Sequence, residues 1–231
     1  SSWDFNSSDG YGAPTAISLA DPTIVWSGSR LSEDSRICYS TDAGLSFEPA
    51  SNLNDSDLGL LTGITTHPSD PNTAYALFSQ KNSPKVLVTH DLGSSWEDLS
   101  GYYPAGITSN NGFPDVAVYC LLVMPWDEDR IWVGTEIGIF ESLDGGVSWA
   151  YAQNGLPSVA IWQMKIVNDE IVFATHGRGI FTLNNAELLE VSVDDFKGDL
   201  NGNLKVFPNP LNNEGRIEFN LNQDQYVEVS L

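Results

Sequence analysis

Three aspartates, Asp42, Asp91 and Asp144, hold the same position in three copies of an eight-residue pattern, and this repetition makes them the first candidates for chemistry. The copies read STDAGLSF (residues 40–47), THDLGSSW (89–96) and SLDGGVSW (142–149). Carboxylates can bind calcium or act as acids and bases in catalysis. Because each copy contains one acid and no second acid at ligand spacing, the pattern favours a structural role over either chemistry.

The spacing S/T-x-D-x-G-x-S-W/F suits the tip of a β-hairpin. A carboxylate at the third position can accept backbone N–H groups of the turn, and Gly at the fifth position permits positive φ. The closing aromatic residue is expected to pack beneath the turn, where truncation to Ala would cost about 3–5 kcal/mol if the ring is buried. The predicted structural residues are Ser40, Asp42, Gly44, Phe47, Thr89, Asp91, Gly93, Trp96, Ser142, Asp144, Gly146 and Trp149.

The spacing of the copies predicts the elements that carry them. Their starts are 49 residues (40 to 89) and then 53 residues (89 to 142) apart, a period that suits one four-stranded β-propeller blade per repeat. Runs rich in Val, Ile, Trp, Tyr and Thr alternate with Pro, Asp and Gly turns, and no segment predicts a long helix. We therefore expect an all-β chain with blades at about residues 13–50, 58–100, 114–153 and 158–185.

Both ends of the repeated region depart from the pattern. In the fourth unit, Asn185 and Glu187 stand where the motif has Asp and Gly, so the turn motif and the outermost strand are expected to be lost. At the other end, SSW at residues 1–3 matches SSW at residues 94–96, which predicts a stray outer strand over residues 1–5. Together with the missing initiator Met, these observations indicate a fragment, an incomplete arc of about four blades.

Composition and charge argue against several classes of function. Ten Lys and Arg against 31 Asp and Glu give a net charge of −21, which disfavours nucleic acid and anionic membrane surfaces as partners. No run of about 18 apolar residues predicts a membrane-spanning helix. The two cysteines, Cys38 and Cys120, lie in strands two blades apart, too far for a disulfide, and are predicted to be buried free thiols. Asp199, Asn201 and Asn203 loosely resemble a calcium loop, but its twelfth position lacks an acid, so neither a metal nor another cofactor is predicted.

The three copies resemble the Asp-boxes, or BNR repeats, of sialidase-like and sortilin-like β-propellers, and the resemblance covers about residues 1–190. The segment THGRGIF (175–181) also resembles the closing blade of secreted bacterial BNR-type proteins. Residues 204–231, which begin LKVFPNPLNNEGRIEFNL, resemble the start of the C-terminal sorting domain of type IX secretion substrates in Bacteroidetes-type bacteria. This resemblance covers two or three strands of what is a complete β-sandwich in that family. Residues 186–203 are then interpreted as an acidic linker.

The resemblance implies a secreted or outer-cell-surface bacterial protein that engages the type IX secretion machinery through its C-terminal region. The leading hypothesis is non-catalytic binding of an extracellular glycan or protein, because the sequence contains no recognisable catalytic constellation. One alternative is a glycoside hydrolase of the sialidase or xyloglucanase type with some catalytic residues on missing blades, although scattered arginines argue against a sialidase. A second alternative is an interaction propeller like sortilin or the photosystem II assembly factor.

Propeller topology predicts which loops can form a ligand site. The motif tips and the turns between first and second strands share one face. The blade-to-blade loops and the loops between second and third strands share the other, where propeller ligands usually bind. That second face would carry the candidate ligand-binding residues Tyr102, Tyr103, Asn110, Asn111, His176 and Arg178, and the candidate glycosidase pair Asp115 and Glu136. The competing interpretations are that the tyrosines cover a blade seam and that the turn at residues 175–179 hydrogen-bonds its own backbone.

Overall fold

The computed structural model describes residues 14–28, 36–51, 53, 58–102, 107–153, 156–168 and 170–184, together with the backbone of residues 205–212 and 214–218. These residues form β-strands and turns, and no α-helix occurs among them. In the same part of the chain, no helix is long and apolar enough to cross a membrane. The prediction of an all-β chain is confirmed.

Four antiparallel sheets follow one another along the chain, and in each sheet the strands pair in chain order. The first sheet contains β1 (Thr15–Ile17), β2 (Val25–Gly28), β3 (Ile37–Ser40) and β4 (Glu48–Pro49). The second contains β5 (Leu61–Thr66), β6 (Ala74–Phe78), β7 (Val86–Thr89) and β8 (Glu97–Asp98). The third contains β9 (Val118–Met124), β10 (Asp127–Thr135), β11 (Gly138–Ser142) and β12 (Ala150–Tyr151). The fourth contains three strands, β13 (Ile161–Val167), β14 (Glu170–Thr175) and β15 (Ile180–Asn184).

Contacts between Cα atoms divide the chain into two units, Ser1–Asn185 and Ala186–Leu231. The second unit contains an antiparallel pair of strands, β16 (Lys205–Asn212) and β17 (Glu214–Glu218). The predicted stray strand over residues 1–5, the degenerate motif at Asn185 and Glu187 and the acidic linker over residues 186–203 lie outside the described residues.

The first strands of the four sheets are neighbours, since β1 contacts β5, β5 contacts β9 and β9 contacts β13. Polar bonds join each adjacent pair. The hydroxyl of Thr66 donates to the Ile17 carbonyl at 3.3 Å, the hydroxyl of Thr65 donates to the Leu121 carbonyl at 3.4 Å, and the Cys120 thiol donates to the Ile161 carbonyl at 3.6 Å. Each sheet is therefore a propeller blade, and its first strand is the innermost one.

The hydrophobic core lies between the blades. Strand β6 is buried along its whole length, because its alternate side chains enter two different cores. Ala74, Ala76 and Phe78 pack with the first blade, whereas Tyr75 and Leu77 pack with the third. A central blade thus shows a continuous apolar run instead of apolar–polar alternation.

Close approach between blades fixes two glycines and one thiol. A Cβ on Gly28 would lie 2.3 Å from Leu61 Cδ2 of the next blade, and one on Gly134 would lie 2.9 Å from the Ile161 carbonyl oxygen of the next blade and 2.4 Å from Cys120 Sγ of its own blade. Cys38 and Cys120 are not joined by a disulfide, as predicted, and each is half-buried where full burial was expected. Burial raises the pKa of Cys120 to about 12, so this thiol is a packing group and a poor nucleophile.

Candidate functional site

Each of the three sequence motifs forms the same hydrogen-bonded turn. The hydroxyl at the first position donates to the aspartate Oδ1 and accepts the backbone N–H of the fifth-position glycine, as Ser40 does for Asp42 at 2.7 Å and for Gly44 at 2.8 Å. The seventh-position serine donates twice to the same carboxylate, as Ser46 does through its N–H at 2.9 Å and its hydroxyl at 2.6 Å. The bonds recur within 0.1 Å in the second and third copies.

The turn requires positive φ at two positions, of which sequence analysis predicted one. The fifth-position glycines Gly44, Gly93 and Gly146 have φ of 83°, 79° and 97°. The fourth positions are also left-handed, with φ of 60°, 54° and 69° at Ala43, Leu92 and Gly145. This backbone aims the fourth-position N–H at the connection between the first two strands, where it donates to the carbonyls of Thr23 and Asn72 in the turn and of Asp129 at the start of β10. The motif tips and these turns therefore lie on one face, as predicted.

Hydrogen bonds within the motif keep its aspartates ionised and engage their carboxylate oxygens. Hydrogen bonds from Ser46 and Ser40 lower the pKa of Asp42 to about 2, and those from Ser95 and Thr89 lower the pKa of Asp91 to about 2. The pKa of Asp144 is lowered by the equivalent bonds. Across the described residues, no group of three or more His, Cys, Asp or Glu side chains could hold a metal ion. The arrangement fits a carboxylate that holds a turn.

The closing aromatic residues differ in burial. The ring of Trp149 is 6% exposed, and its Nε1–H donates to the carbonyls of Leu99 at 2.8 Å and Gly146 at 3.1 Å. Trp96 is half-buried, with its ring 6.2 Å from that of Trp26. Phe47 is 38% exposed, which departs from the expectation that all three rings pack beneath their turns. The motif is therefore a full anchor in the third blade and a weaker one in the first.

The long loop before the third blade contains a partial copy of the motif turn. Ser109 donates its hydroxyl to Asn111 Oδ1 at 2.8 Å and accepts the N–H of Phe113 at 3.1 Å, as Ser40 does in the first motif. The Asn111 amide then donates to the Leu99 carbonyl at 2.9 Å. Asn111, predicted as a ligand-binding residue, is thus engaged in holding the loop. Asn110 is exposed, and its N–H donates to Gly101.

Tyr102, also predicted to bind ligand, is 3% exposed and forms part of a buried cation site. The Lys85 ammonium is fully buried, lies 4.9 Å from the Tyr102 ring centroid, and bonds to Asp115 Oδ1 at 2.7 Å, to the Ser83 carbonyl at 3.0 Å and to the Gln80 carbonyl. This burial fits the interpretation that the tyrosine covers a seam. Tyr103 lies outside the described residues.

Asp115, one of the two candidate catalytic carboxylates, is the partner of this buried ammonium. Burial raises the pKa of Asp115, but hydrogen bonds from Lys85 and Asn82 and the Lys85 charge outweigh it, so the pKa lies below its ordinary value. The other candidate, Glu136, is exposed in the β10–β11 turn and accepts the Ala117 N–H at 3.3 Å. Their assignment as an acid/base pair stays a prediction.

An exposed aromatic stack lies at the innermost strands of the third and fourth blades. The indole of Trp162 is 57% exposed and lies parallel to the imidazole of His176, with centroids 5.3 Å apart and an interplanar angle of 8°. The ring of Tyr119 leans on Trp162 at 5.8 Å and 34°. We call Tyr119, Trp162 and His176 the aromatic platform.

The platform lies on the face opposite the motif tips. His176 belongs to the turn between β14 and β15 and donates its N–H to the Ala160 carbonyl at 2.9 Å, which ties this turn to the start of β13. The same turn is closed by Thr175, whose hydroxyl donates to Gly179 at 2.6 Å, and it presents Arg178 to solvent. The Glu136 carboxylate accepts the N–H of Ala117, two residues before Tyr119, so it lies near the platform. Burial raises the pKa of Tyr119, and the negative charge of Glu136 raises it further.

Sequence analysis identified His176 but missed Tyr119 and Trp162. Both residues lie inside runs that predict strands, and an aromatic residue inside such a run normally indicates core. The available signal was the alignment of the repeats, because Tyr119 and Trp162 occupy the same position in successive blades and Trp162 is followed by the polar Gln163.

Solved structures support the fold. The chain is similar to the GH74 enzyme of Niastella koreensis, with a TM-score of 0.53 and 17% identity over 75% of this chain and 23% of that chain. It is also similar to the GH74 xyloglucanase from Xanthomonas campestris, with a TM-score of 0.51 and 17% identity over 75% of this chain and 29% of that chain. The fold is a β-propeller fold. YCF48 from Cyanidioschyzon merolae matches with a TM-score of 0.47 and 15% identity over 74% of this chain and 52% of that chain.

These likenesses extend over part of each neighbour, since the chain spans about a quarter of the length of the two GH74 proteins. No family model matches the sequence, and no curated protein sequence matches it. The comparisons therefore establish the blade architecture, and the function must be argued from the chain's own residues.

Proposed function

We propose that this chain belongs to a non-catalytic propeller protein that binds an extracellular glycan through the aromatic platform. The observation that carries the proposal is the exposed indole of Trp162, which stacks on His176 and makes a tilted contact with the ring of Tyr119. An indole with over half of its surface in water beside two further rings forms a contiguous exposed apolar patch, and such patches are typical of binding sites.

The chemistry of the platform suits a sugar. The faces of a pyranose ring expose C–H groups that pack on an aromatic face, while the hydroxyls at its rim need polar partners. Glu136, Gln163 and Arg178 are exposed side chains around the platform region and supply an acceptor, an amide and a cation. Because the neighbouring rings already hold Trp162 in place, little side-chain entropy is lost on binding.

The environment of Asp115 argues against a role as the general acid of a glycosidase. A glycosidase general acid must keep its proton near neutral pH, which requires a raised pKa. The ion pair with Lys85 does the opposite at Asp115, whose pKa is lowered. This supports a non-catalytic role for Asp115, whose carboxylate is already engaged by Lys85, and the hydrolase hypothesis then needs a different carboxylate as its general acid.

Binding is tested with the full chain against soluble xyloglucan, mixed-linkage β-glucan, mannan and arabinan by affinity electrophoresis and calorimetry. We expect one or more to bind, and Trp162→Ala to weaken binding about tenfold or more. The matched control is Tyr151→Ala, which removes another exposed aromatic ring, 41% exposed on the outermost strand of the third blade. Absence of binding to all four polysaccharides, equal losses in both variants, or release of reducing ends would overturn the proposal.

We also propose that the protein is secreted or held at the outer cell surface, with residues 204–231 serving as the type IX signal. The support is the KVFPNP and IEFNL sequence pattern, which spans the β16–β17 pair. Fusion of this segment to a periplasmic reporter in a type IX-competent bacterium should export the reporter, and a reporter retained in the periplasm would contradict the proposal.

A further inference from the structure

The innermost strands of three successive blades carry a β-bulge at the same register. In each case the innermost strand has one extra residue between two successive pairs with the second strand, and this extra residue faces no partner there. The pairings that flank the extra residue are Leu61–Phe78 and Gly63–Leu77 in the second blade, Val118–Thr135 and Cys120–Gly134 in the third, and Ile161–Thr175 and Gln163–Ala174 in the fourth. The extra residues are Thr62, Tyr119 and Trp162, which we call the bulge row.

A bulge re-aims the side chain of the inserted residue and is a common device next to binding sites. Two members of the bulge row, Tyr119 and Trp162, meet ring against ring across the boundary between the third and fourth blades. The third member lies next in line, because a Cβ on the adjacent Gly63 would be 3.1 Å from the carbonyl oxygen of Tyr119. The repeat therefore places three equivalent positions side by side along the inner face.

The second blade fills its position with a short side chain. Thr62 is half-buried, and its hydroxyl is buried without a hydrogen-bond partner among the described residues. A buried hydroxyl that makes no hydrogen bond contributes little to stability, so loss of the hydroxyl itself should be tolerated. The two aromatic members of the bulge row are therefore Tyr119 and Trp162, and the position next to Tyr119 carries Thr62, which has no ring.

The charge around the row restricts the ligand. The chain carries a net charge of −21, and the Glu136 carboxylate accepts the N–H of Ala117 at 3.3 Å, two residues before Tyr119. A sulfated or carboxylated glycan would meet this negative potential on approach, and at the platform it would meet the Glu136 carboxylate as well as the Arg178 cation. An uncharged chain of sugars would not.

We infer that the bulge row is a series of adjacent sugar positions for one uncharged, linear oligosaccharide, and that Thr62 sets the length at which added sugars stop contributing affinity. This inference rests on the proposed glycan-binding function. It assigns a role to the repeated bulge itself: each blade presents one side chain to one stretch of the sugar chain, and blades differ in whether that side chain stacks.

The test uses the neutral polysaccharide that the full chain binds best and oligosaccharides cut from it, from disaccharide to octasaccharide, titrated by calorimetry. For the unsubstituted chain, affinity should rise with length and then level off. Thr62→Tyr should move that plateau to longer oligosaccharides, with a gain of about threefold for the longest ones and none for the shortest. Thr62→Val, which keeps the shape of Thr62, should leave the length profile unchanged.

Tyr119→Ala gives a second measurement that does not depend on fitting a larger side chain at position 62. It should lower affinity for long oligosaccharides more than for the disaccharide. An equal loss at every length, or an unshifted plateau in a Thr62→Tyr protein with an unchanged melting temperature, would overturn the bulge row while leaving glycan binding intact. Equal affinity for a carboxymethylated form of the same polysaccharide would overturn the uncharged ligand. If Trp162→Ala binds every glycan normally, the proposed function itself fails.

Discussion

The backbone N–H of Trp149 donates to the carbonyl oxygen of Asn111 at 2.9 Å. This bond joins the third motif to the loop that precedes its blade, and the Trp149 ring packs edge-on against Phe113 of the same loop at 5.0 Å. A Cβ on Gly112 would lie 2.5 Å from the Trp149 carbonyl oxygen, so the loop and the motif are in direct backbone contact. The partial motif turn in the loop is therefore a support for the third blade.

Asn111→Asp should destabilise the protein although it makes the loop resemble the true motif more closely. The Asn111 amide donates to the Leu99 carbonyl at 2.9 Å, and a carboxylate cannot donate. Loss of this bond, with two acceptors left facing each other, should lower the free energy of unfolding by about 1–3 kcal/mol. Urea denaturation measures the change. Asn110→Asp is the matched control, and a loss of similar size there would contradict the role assigned to Asn111.

The stability lost when a closing aromatic residue is truncated to Ala should increase with the burial of its ring. Trp149→Ala removes a ring that is 6% exposed and bonded to two carbonyls, so we expect a loss of about 3–5 kcal/mol. Phe47→Ala removes a ring that is 38% exposed and should cost about 1 kcal/mol or less. Denaturant unfolding of the two variants supplies the comparison. Equal losses would mean that the motif anchors every blade alike, which the difference in burial argues against.

Much of the fold was predictable because the repeated motif shows where each blade lies in the sequence. The hairpin motif fixes three residue types by local hydrogen bonds and one by backbone conformation, so its three copies locate three blades from sequence alone. The left-handed fourth position was not predictable, since Leu92 adopts φ of 54° only because its N–H is drawn to the Asn72 carbonyl of another turn. Contacts between distant segments override local preference there.

The candidate site was less predictable, for a related physical reason. Polar and aromatic residues in the long loop suggested a sugar site, but Tyr102 is buried against Lys85 and Asn111 is used within the loop. The exposed rings instead come from strand interiors, where Tyr119 and Trp162 leave the alternation at a bulge. A bulge depends on pairing with a neighbouring strand, and sequence periodicity does not reveal it.

Acid should weaken the first two blades through their motif aspartates. The pKa of Asp42 and of Asp91 is about 2 in the folded protein, below the ordinary value of 3.8. Because the unfolded state binds protons more readily, the stabilisation is present above about pH 4 and is lost as the pH falls through about 2. Melting temperatures measured between about pH 6 and pH 2 should fall steeply at the acid end.

The double variant Asp42→Asn/Asp91→Asn should melt at a lower temperature near neutral pH and show a shallower decline in acid, because the groups that titrate are gone. Asp127→Asn, which changes an exposed aspartate at the start of β10, is the control and should keep the steep decline. A double variant with an unchanged acid profile would show that other groups govern the acid transition.

Removal of the buried ammonium should be costly. Lys85→Met keeps the length of the side chain and its contact with the Tyr102 ring, but it leaves the Ser83 carbonyl and the Asp115 carboxylate without their partner. The Asp115 side chain is 27% exposed and keeps its bond from the Asn82 N–H, so we expect the free energy of unfolding to fall by about 1–3 kcal/mol, the cost of buried groups left without partners. Lys165→Met, on an exposed position of β13, should change it by about 0.5 kcal/mol or less.

The double variant Lys85→Met/Asp115→Asn separates the ion pair from simple packing. Once Lys85 is gone, the carboxylate of Asp115 no longer contributes through this pair, so the added substitution should cost little or restore part of the stability. A double-mutant cycle from urea denaturation gives the coupling energy between the two side chains. If the two single losses add up in full, the 2.7 Å contact is not an energetic link, and the loop that carries Asp115 is held by its other bonds.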